Sequence, residues 1–350
     1  MLRFISILFI QIFFYFSLTA SATAADVTGA GSSAAAPLYN KWAEIFQKKS
    51  NLTIEYLPQG SSAGIKKIKE KSVDFGASDV AMSPEDLKKF NLIQFPSAIS
   101  GVAAVVNVPG IKAGELRLTG SALAGIFSRK ISKWNDAEII ALNPNLHLPN
   151  KNIEVIVRSD GSGTTYNFTD YLSKMSKDWQ ASYGKNFSIS WHKELSAVKG
   201  SSSIVASLKK TPYAISYIDF NYVVQDKLDF AQLKNRDGNF VTPSAASFSA
   251  ALNASTWKSL GTFDEMLTDK PGNNAWPITM GTFVIMQQSS ANPEKATTTL
   301  KFYTWAFMSG DQFVNSVDLV RLPDQVQARA FKEMTKVTDA NGKPLAWSKL

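Results

Sequence analysis

Three glycine- and serine-rich turns, Thr28 to Ala34, Gly60 to Gly64 and Asp160 to Thr165, each follow a strand-like run and open a helix-like one. A chain that repeats strand, small-residue turn and helix is committed to an α/β architecture, because each helix must fold back over the sheet its strand joins. In an open α/β sheet the turns at the carboxyl ends of strands border one crevice, so turns remote in sequence can converge there. Arg158-Ser159-Asp160-Gly161-Ser162-Gly163-Thr164-Thr165 is the most specific of them, placing hydroxyls, glycine amides and one guanidinium where a helix begins. The first N–H groups of a helix lack internal partners, and the aligned peptide dipoles leave about half a positive charge there, so a bound anion satisfies both. Taken alone, the segment also fits a serine-capped helix after a turn.

The surrounding pattern extends the reading. Val27 to Gly31, Leu52 to Leu57 and Val73 to Ser78 read as strands, and Pro37 to Lys49 as a helix with Leu38, Trp42, Ile45 and Phe46 on one face. Ser83-Pro84-Glu85-Asp86 starts another helix with a capping serine. Gly101 to Val108 is almost continuously apolar, as for a strand buried on both faces, and is expected to make the first crossing into a second lobe. Asn152 to Val157 delivers the chain to Arg158, and Phe168, Leu172, Met175 and Trp179 are spaced for one following helix. Pro212 to Val224 is expected as a strand and Ala245 to Asp269 as a polar surface helix. Ala275-Trp276-Pro277 with the strand Ile278 to Met286 forms the return crossing, and two helices, introduced by Pro293 and by Leu322-Pro323-Asp324, close a discontinuous first lobe. The expected boundaries are a signal peptide over 1–25, one lobe from 26–103 and 283–350, and the other from 104–282.

Residues 1 to 25 carry the features of a secretory signal: Arg3, an apolar stretch from Phe4 to Leu18, and Ala22-Thr23-Ala24 as a small-residue cleavage site. Cleavage and a periplasmic location are expected. The apolar run, interrupted by Gln11, falls short of the roughly 20 residues of a spanning helix. The chain has no cysteine, which excludes disulfides, thiolate chemistry and a lipid-modified cysteine. Its net charge of +8 is spread among acids, as around Glu70, so solvated helix faces explain the lysine clusters better than nucleic acid does.

Catalytic and cofactor readings find little support. Gly29-Ala30-Gly31-Ser32-Ser33-Ala34 formally fits a dinucleotide fingerprint, with Glu55 near the position of a ribose-binding acid, but that reading leaves the Arg158 turn unexplained. No Walker sequence is present. His147 and His192 stand outside any motif, Ser162 is not in a Gly-x-Ser-x-Gly elbow, and no acidic triplet has ligand spacing. No catalytic residue, metal or cofactor is expected.

The blocks Thr28-Gly29-Ala30-Gly31, Ala36-Pro37-Leu38-Tyr39-Asn40-Lys41-Trp42, Gly60-Ser61-Ser62, Val73 to Asp79, Arg158 to Thr164 and Ala275 to Thr279 together resemble the periplasmic phosphate-binding proteins of bacterial ABC phosphate importers, along the whole chain after the signal. That resemblance implies a two-lobed periplasmic binding protein fold of type II. Each lobe is a sheet flanked by helices, two hinge crossings join them, and inorganic phosphate is held in the cleft. It implies phosphate ligands at Ser33, at the Ala34 backbone, and at Ser61, Asp79, Arg158, Ser162, Gly163 and Thr164, with Asp160 positioning the arginine. It also implies a monomer that delivers phosphate to a membrane permease and ATPase complex. Three departures from the family pattern stand out: two lie in the first turn, where Ser33-Ala34-Ala35 replaces a threonine-phenylalanine-proline run, and the third is Ser201-Ser202 in place of a more polar Asn-Asp pair. The other readings are a receptor for another tetrahedral oxyanion, a secreted phosphatase or hydrolase using Ser162 or Asp79, and a surface adhesion protein of this fold.

The residue chemistry suits such an anion independently. Monohydrogen phosphate carries two negative charges, and one arginine against two aspartates cannot bind it by formal charge. Neutral N–H and O–H donors must supply the attraction. Asp79 accepts hydrogen bonds only, so it favours an oxyanion that retains a proton and repels fully ionised sulfate.

Overall fold

The structure is a computed structural model describing residues 25–259 and 263–347; the expected signal peptide lies, apart from Ala25, outside the described residues. The main sheet runs, edge to edge, through Ile54–Leu57, Val27–Gly31, Phe75–Ser78, Thr279–Gln287, Leu92–Asn107, Ala214–Asp219, Glu154–Arg158 and Ser196–Val198. Strands on its two wings are parallel, whereas the central Thr279–Gln287 and Leu92–Asn107 strands pair antiparallel with each other and with their outer neighbours. The long strand changes partner midway: residues 92–101 pair with Thr279–Gln287, and Val102 to Asn107 pair with Asp219 to Ala214. One continuous strand thereby carries the chain from one half of the molecule to the other.

Local sequence accounts for most elements. Helix Ala36–Ser50 has Pro37 in its first turn, lysines in its last and a left-handed Asn51 as its stop, and it buries Leu38, Trp42 and Phe46 completely. Trp42 and Phe46 meet Phe302, and Tyr39 of the same helix meets Tyr303, both on helix Pro293–Met308, so this helix packs on the first half. Helix Asp324–Met334 is the second of that pair. Gly64 lets helix Ser61–Lys69 lie directly on the sheet, since a Cβ there would fall 2.6 Å from Gly31 Cα and 2.7 Å from Ala77 O. The second half packs Phe168 flat against Tyr217, with Phe127 and Trp191 around them.

Several expectations change. The long strand begins at Leu92, nine residues before the apolar run that announced it. Pro96 and the polar Ser97 and Ser100 disguised its first part, and the ladder accommodates them with a register shift opposite Thr282 and Phe283. The Gly60 to Gly64 turn is shorter than expected because the helix already starts at Ser61. Met175 and Trp179 lie in separate helices, Gly163–Met175 and Lys177–Ser182, because Ser176 is extended and its side chain caps the second. Pro212 to Val224 is not one strand: Ala214–Asp219 is followed at once by helix Phe220–Asp226. Among the described residues of Ala245 to Asp269, the helical elements are Ala245–Asn253 and a short turn of 3-10 helix, and Phe248, Leu252 and Trp257 are buried, so the segment is not one surface helix.

Candidate functional site

Four helices begin around one point between the two halves: Ala36–Ser50, Ser61–Lys69, Gly163–Met175 and Ser201–Lys210. Three of them start without a side-chain hydrogen bond from the capping residue, which is Ala35, Gly60 or Gly200. Small residues there leave the first N–H groups for another acceptor. Only the Gly163 helix caps itself, with Ser162 Oγ accepting the Thr165 N–H at 3.2 Å.

Asp79, at the end of the Phe75–Ser78 strand, is the focus on the first side. It is buried, and three hydroxyls donate to it: Ser32 to both oxygens at 2.7 and 2.6 Å, Thr282 to Oδ1 at 2.8 Å and Ser61 to Oδ2 at 3.3 Å. Thr282 stands at the register shift of its strand, and Ser97 on the facing strand holds the shifted carbonyl through Oγ at 3.1 Å. Burial raises the Asp79 carboxyl above its ordinary value, against the opposing pull of these hydroxyls and of Arg158.

Arg158, at the end of Glu154–Arg158, is the focus on the other side and is only 3% exposed. Asp160 clamps it in a two-bond fork, Nε to Oδ1 at 2.7 Å and Nη2 to Oδ2 at 2.5 Å. Burial opposes ionisation of Asp160, but the Arg158 bonds and charge outweigh it and hold the carboxyl below its usual value. The remaining terminal nitrogen, Nη1, donates to Ser201 Oγ at 3.2 Å, and Ser201 Oγ lies 2.8 Å from Ser33 Oγ on the opposite side.

The two sides are clasped. Asn221 Nδ2 donates to Ala34 O at 2.8 Å, Tyr222 Oη to Ser33 O at 3.0 Å, and Asn167 Nδ2 to Asp79 O at 2.8 Å. The Ser62 N–H reaches Gly161 O at 3.1 Å and the Gly163 N–H reaches Ser61 Oγ at 3.2 Å. These bonds describe a shut cleft whose shutting draws on the site residues themselves.

Every residue singled out from the sequence therefore lies in this region. Ser33, Ala34, Ser61 and Asp79 come from one side; Arg158, Asp160, Ser162, Gly163 and Thr164 come from the other. Their tasks differ. Ser162 Oγ serves as helix cap, the Ala34 N–H points to Ser32 Oγ at 3.1 Å, and Thr164 Oγ1 lies 2.9 Å from Asp219 Oδ2. Sequence reasoning missed Ser32, Thr282, Asp219, Asn167, Asn221 and Tyr222. Ser32 sits inside a turn already singled out, and counting donors for a buried Asp79 would have pointed to it; the others depend on which strands become neighbours.

A family model described as the PBP superfamily domain matches residues 18–309. The phosphate-binding protein PstS of Haemophilus influenzae is 43% identical over 305 residues, 87% of this chain and 91% of that protein. PstS of Pasteurella multocida is 40% identical over 335 residues, 95% of this chain and 96% of its own length. The solved structure of an ancestral soluble variant of the human phosphate binding protein superposes with a TM-score of 0.72 at 21% identity, covering 91% of this chain and 99% of that one. These likenesses agree with a central strand that changes partner midway and with the cleft between the two halves of the sheet, and the fold is that of a two-lobed periplasmic binding protein. The chain belongs to the PstS family of phosphate-binding proteins, within the PBP superfamily.

Proposed function

We propose that this chain captures inorganic phosphate in the periplasm and delivers it to the permease and ATPase of an ABC importer. It works as a monomer that closes over its ligand. The observation that carries the reading is the meeting of three helix starts lacking N-cap side-chain bonds with Arg158 on one side and a hydroxyl-ringed Asp79 on the other. Phosphate would be held by Ser33, the Ala34 backbone, Ser61, Arg158, Ser162, Gly163 and Thr164, with Asp160 fixing the arginine and Asp79 accepting the ligand's proton. The lobes would comprise residues 26–103 with 283–350 and 104–282. The partner change at Gly101 and Val102 supports the first crossing, and the start of Thr279–Gln287 supports the second.

The chain is a binding protein rather than an enzyme, in keeping with its relatives' names. Ser162, the residue an esterase reading would need as nucleophile, uses its hydroxyl oxygen as a helix cap. Calorimetry of exhaustively dialysed protein tests the proposal. Phosphate and arsenate should bind one to one, with sulfate weaker by about a hundredfold or more, since setting a buried carboxylate against an unprotonated oxygen costs on the order of 3 kcal/mol. Absence of phosphate binding, or tight sulfate binding, would refute it.

A further inference from the structure

Asp219 closes the Ala214–Asp219 strand beside the site, fully buried, in the N-cap position of helix Phe220–Asp226 but without capping it. Its Oδ2 lies 2.9 Å from Thr164 Oγ1, and its Oδ1 has no hydrogen-bond partner. Asp79 a short distance away is served by three hydroxyls, whereas Asp219 has one. An ionised carboxylate so poorly solvated is expensive to bury. Arg158 acts on it from a distance, but its fork is committed to Asp160.

We propose that Asp219 is a positioning residue for the anion: it keeps a proton in the closed protein, donates it to Thr164 Oγ1, and so leaves the Thr164 hydroxyl hydrogen free to point at the ligand. A hydroxyl has a single hydrogen. Spent on an ionised Asp219, it would leave Thr164 offering only lone pairs to an anion. A contact of 2.9 Å serves equally well in the reverse direction, in which Thr164 becomes a donor. The same proton removes one negative charge from a cleft that must receive an anion beside Asp79.

The electrostatic surroundings agree. Burial, and then the charge of Asp79, push the Asp219 carboxyl well above its ordinary range, against the weaker pull of Thr164 and Arg158. Tyr222 is the titratable neighbour on its own helix. The Leu92–Asn107 strand paired with it carries no ionisable side chain. Elsewhere on the packed elements, Lys209 of the Ser201–Lys210 helix pairs with Asp226, Lys210 lies at that helix's far end, and Asp170 of the Gly163–Met175 helix pairs with Lys174 and Lys185.

The inference rests on the phosphate reading. The test is phosphate affinity across the alkaline range in which monohydrogen phosphate is the dominant species, for the wild type and D219N. Wild-type affinity should weaken as pH rises through the Asp219 titration, approaching tenfold per pH unit. D219N, whose amide donates permanently, should show a flat profile. Equal slopes in the two proteins would overturn the proposal. A wild type that binds no phosphate at any pH would instead refute the phosphate reading. Infrared spectra give a second readout that does not depend on D219N folding: the wild type at neutral pH should show a carboxylic-acid C=O band that persists in D79N and disappears on alkaline titration. Absence of that band would equally overturn the assignment.

Discussion

The Ser61 hydroxyl accepts the Gly163 N–H across the cleft at 3.2 Å, and a Cβ on Gly163 would fall 2.5 Å from that oxygen and 2.8 Å from Asp79 Cβ. Only a residue without a side chain lets the two helix starts approach this closely. Gly163→Ala should therefore prop the cleft open. Overpacking of this kind costs about 1 to 3 kcal/mol, which corresponds to roughly a fivefold to hundredfold loss of phosphate affinity. A fluorescence titration reads it, and wild-type affinity in this variant would contradict the close approach.

Asp79 and Ser32 should act together in selectivity. Asp79→Asn replaces an acceptor-only group by one that can donate, so the preference for phosphate over sulfate should fall by about a hundredfold while phosphate affinity falls less. Ser32 contributes the hydroxyl that bridges both Asp79 oxygens, and its bond helps keep the carboxyl ionised. Ser32→Ala should lower the same preference by about tenfold, the worth of one hydrogen bond to a charged group. Competition titrations with sulfate measure both, and an unchanged ratio in Asp79→Asn would exclude proton reading by this residue.

The Arg158–Asp160 fork makes stability depend on pH with a definite sign. The folded-state carboxyl of Asp160 is lowered from 3.8, so its contribution is present above the ordinary carboxylate range and is lost as pH falls through the depressed value. Asp160→Asn should cost on the order of 3 kcal/mol at neutral pH by stranding the buried guanidinium. Melting curves of the two proteins should converge as the pH is lowered. A gap that stays constant down to strong acid would contradict the pairing.

Closure should be tunable without substituting any anion ligand. Tyr222 Oη donates to Ser33 O at 3.0 Å across the cleft, a bond that forms only when the halves meet. Tyr222→Phe removes about 1 kcal/mol from the shut state. Stopped-flow release of phosphate should accelerate about fivefold with little change in the association rate. An effect confined to association would place Tyr222 outside the clasp.

The strands and turns were legible where a single segment decides its own structure. Trp42 and Phe46 fall on one helix face by period alone, and Arg158 to Thr164 has the composition of a strand-to-helix anion turn whatever surrounds it. Elements defined by partners were not. The first half of Leu92–Asn107 reads as irregular because of Pro96, and only pairing with Thr279–Gln287 makes it a strand. Thr282 reaches Asp79 through the register shift in that same pairing, and Asp219 reaches Thr164 because the Ala214–Asp219 strand lies between Leu92–Asn107 and Glu154–Arg158. No local pattern marks either residue. Asn167, Asn221 and Tyr222 likewise sit at ordinary helical positions, and their role as clasps arises from the meeting of the two halves.

A crystal structure of the dialysed protein soaked or grown with phosphate tests the central claim most directly. One tetrahedral anion is expected between the halves, within hydrogen-bonding distance of Ser33, Ser61, Asp79, Arg158 and Thr164, with the Asn221 and Tyr222 clasps in place. Phosphate bound elsewhere, or held by residues of one half alone, would contradict it.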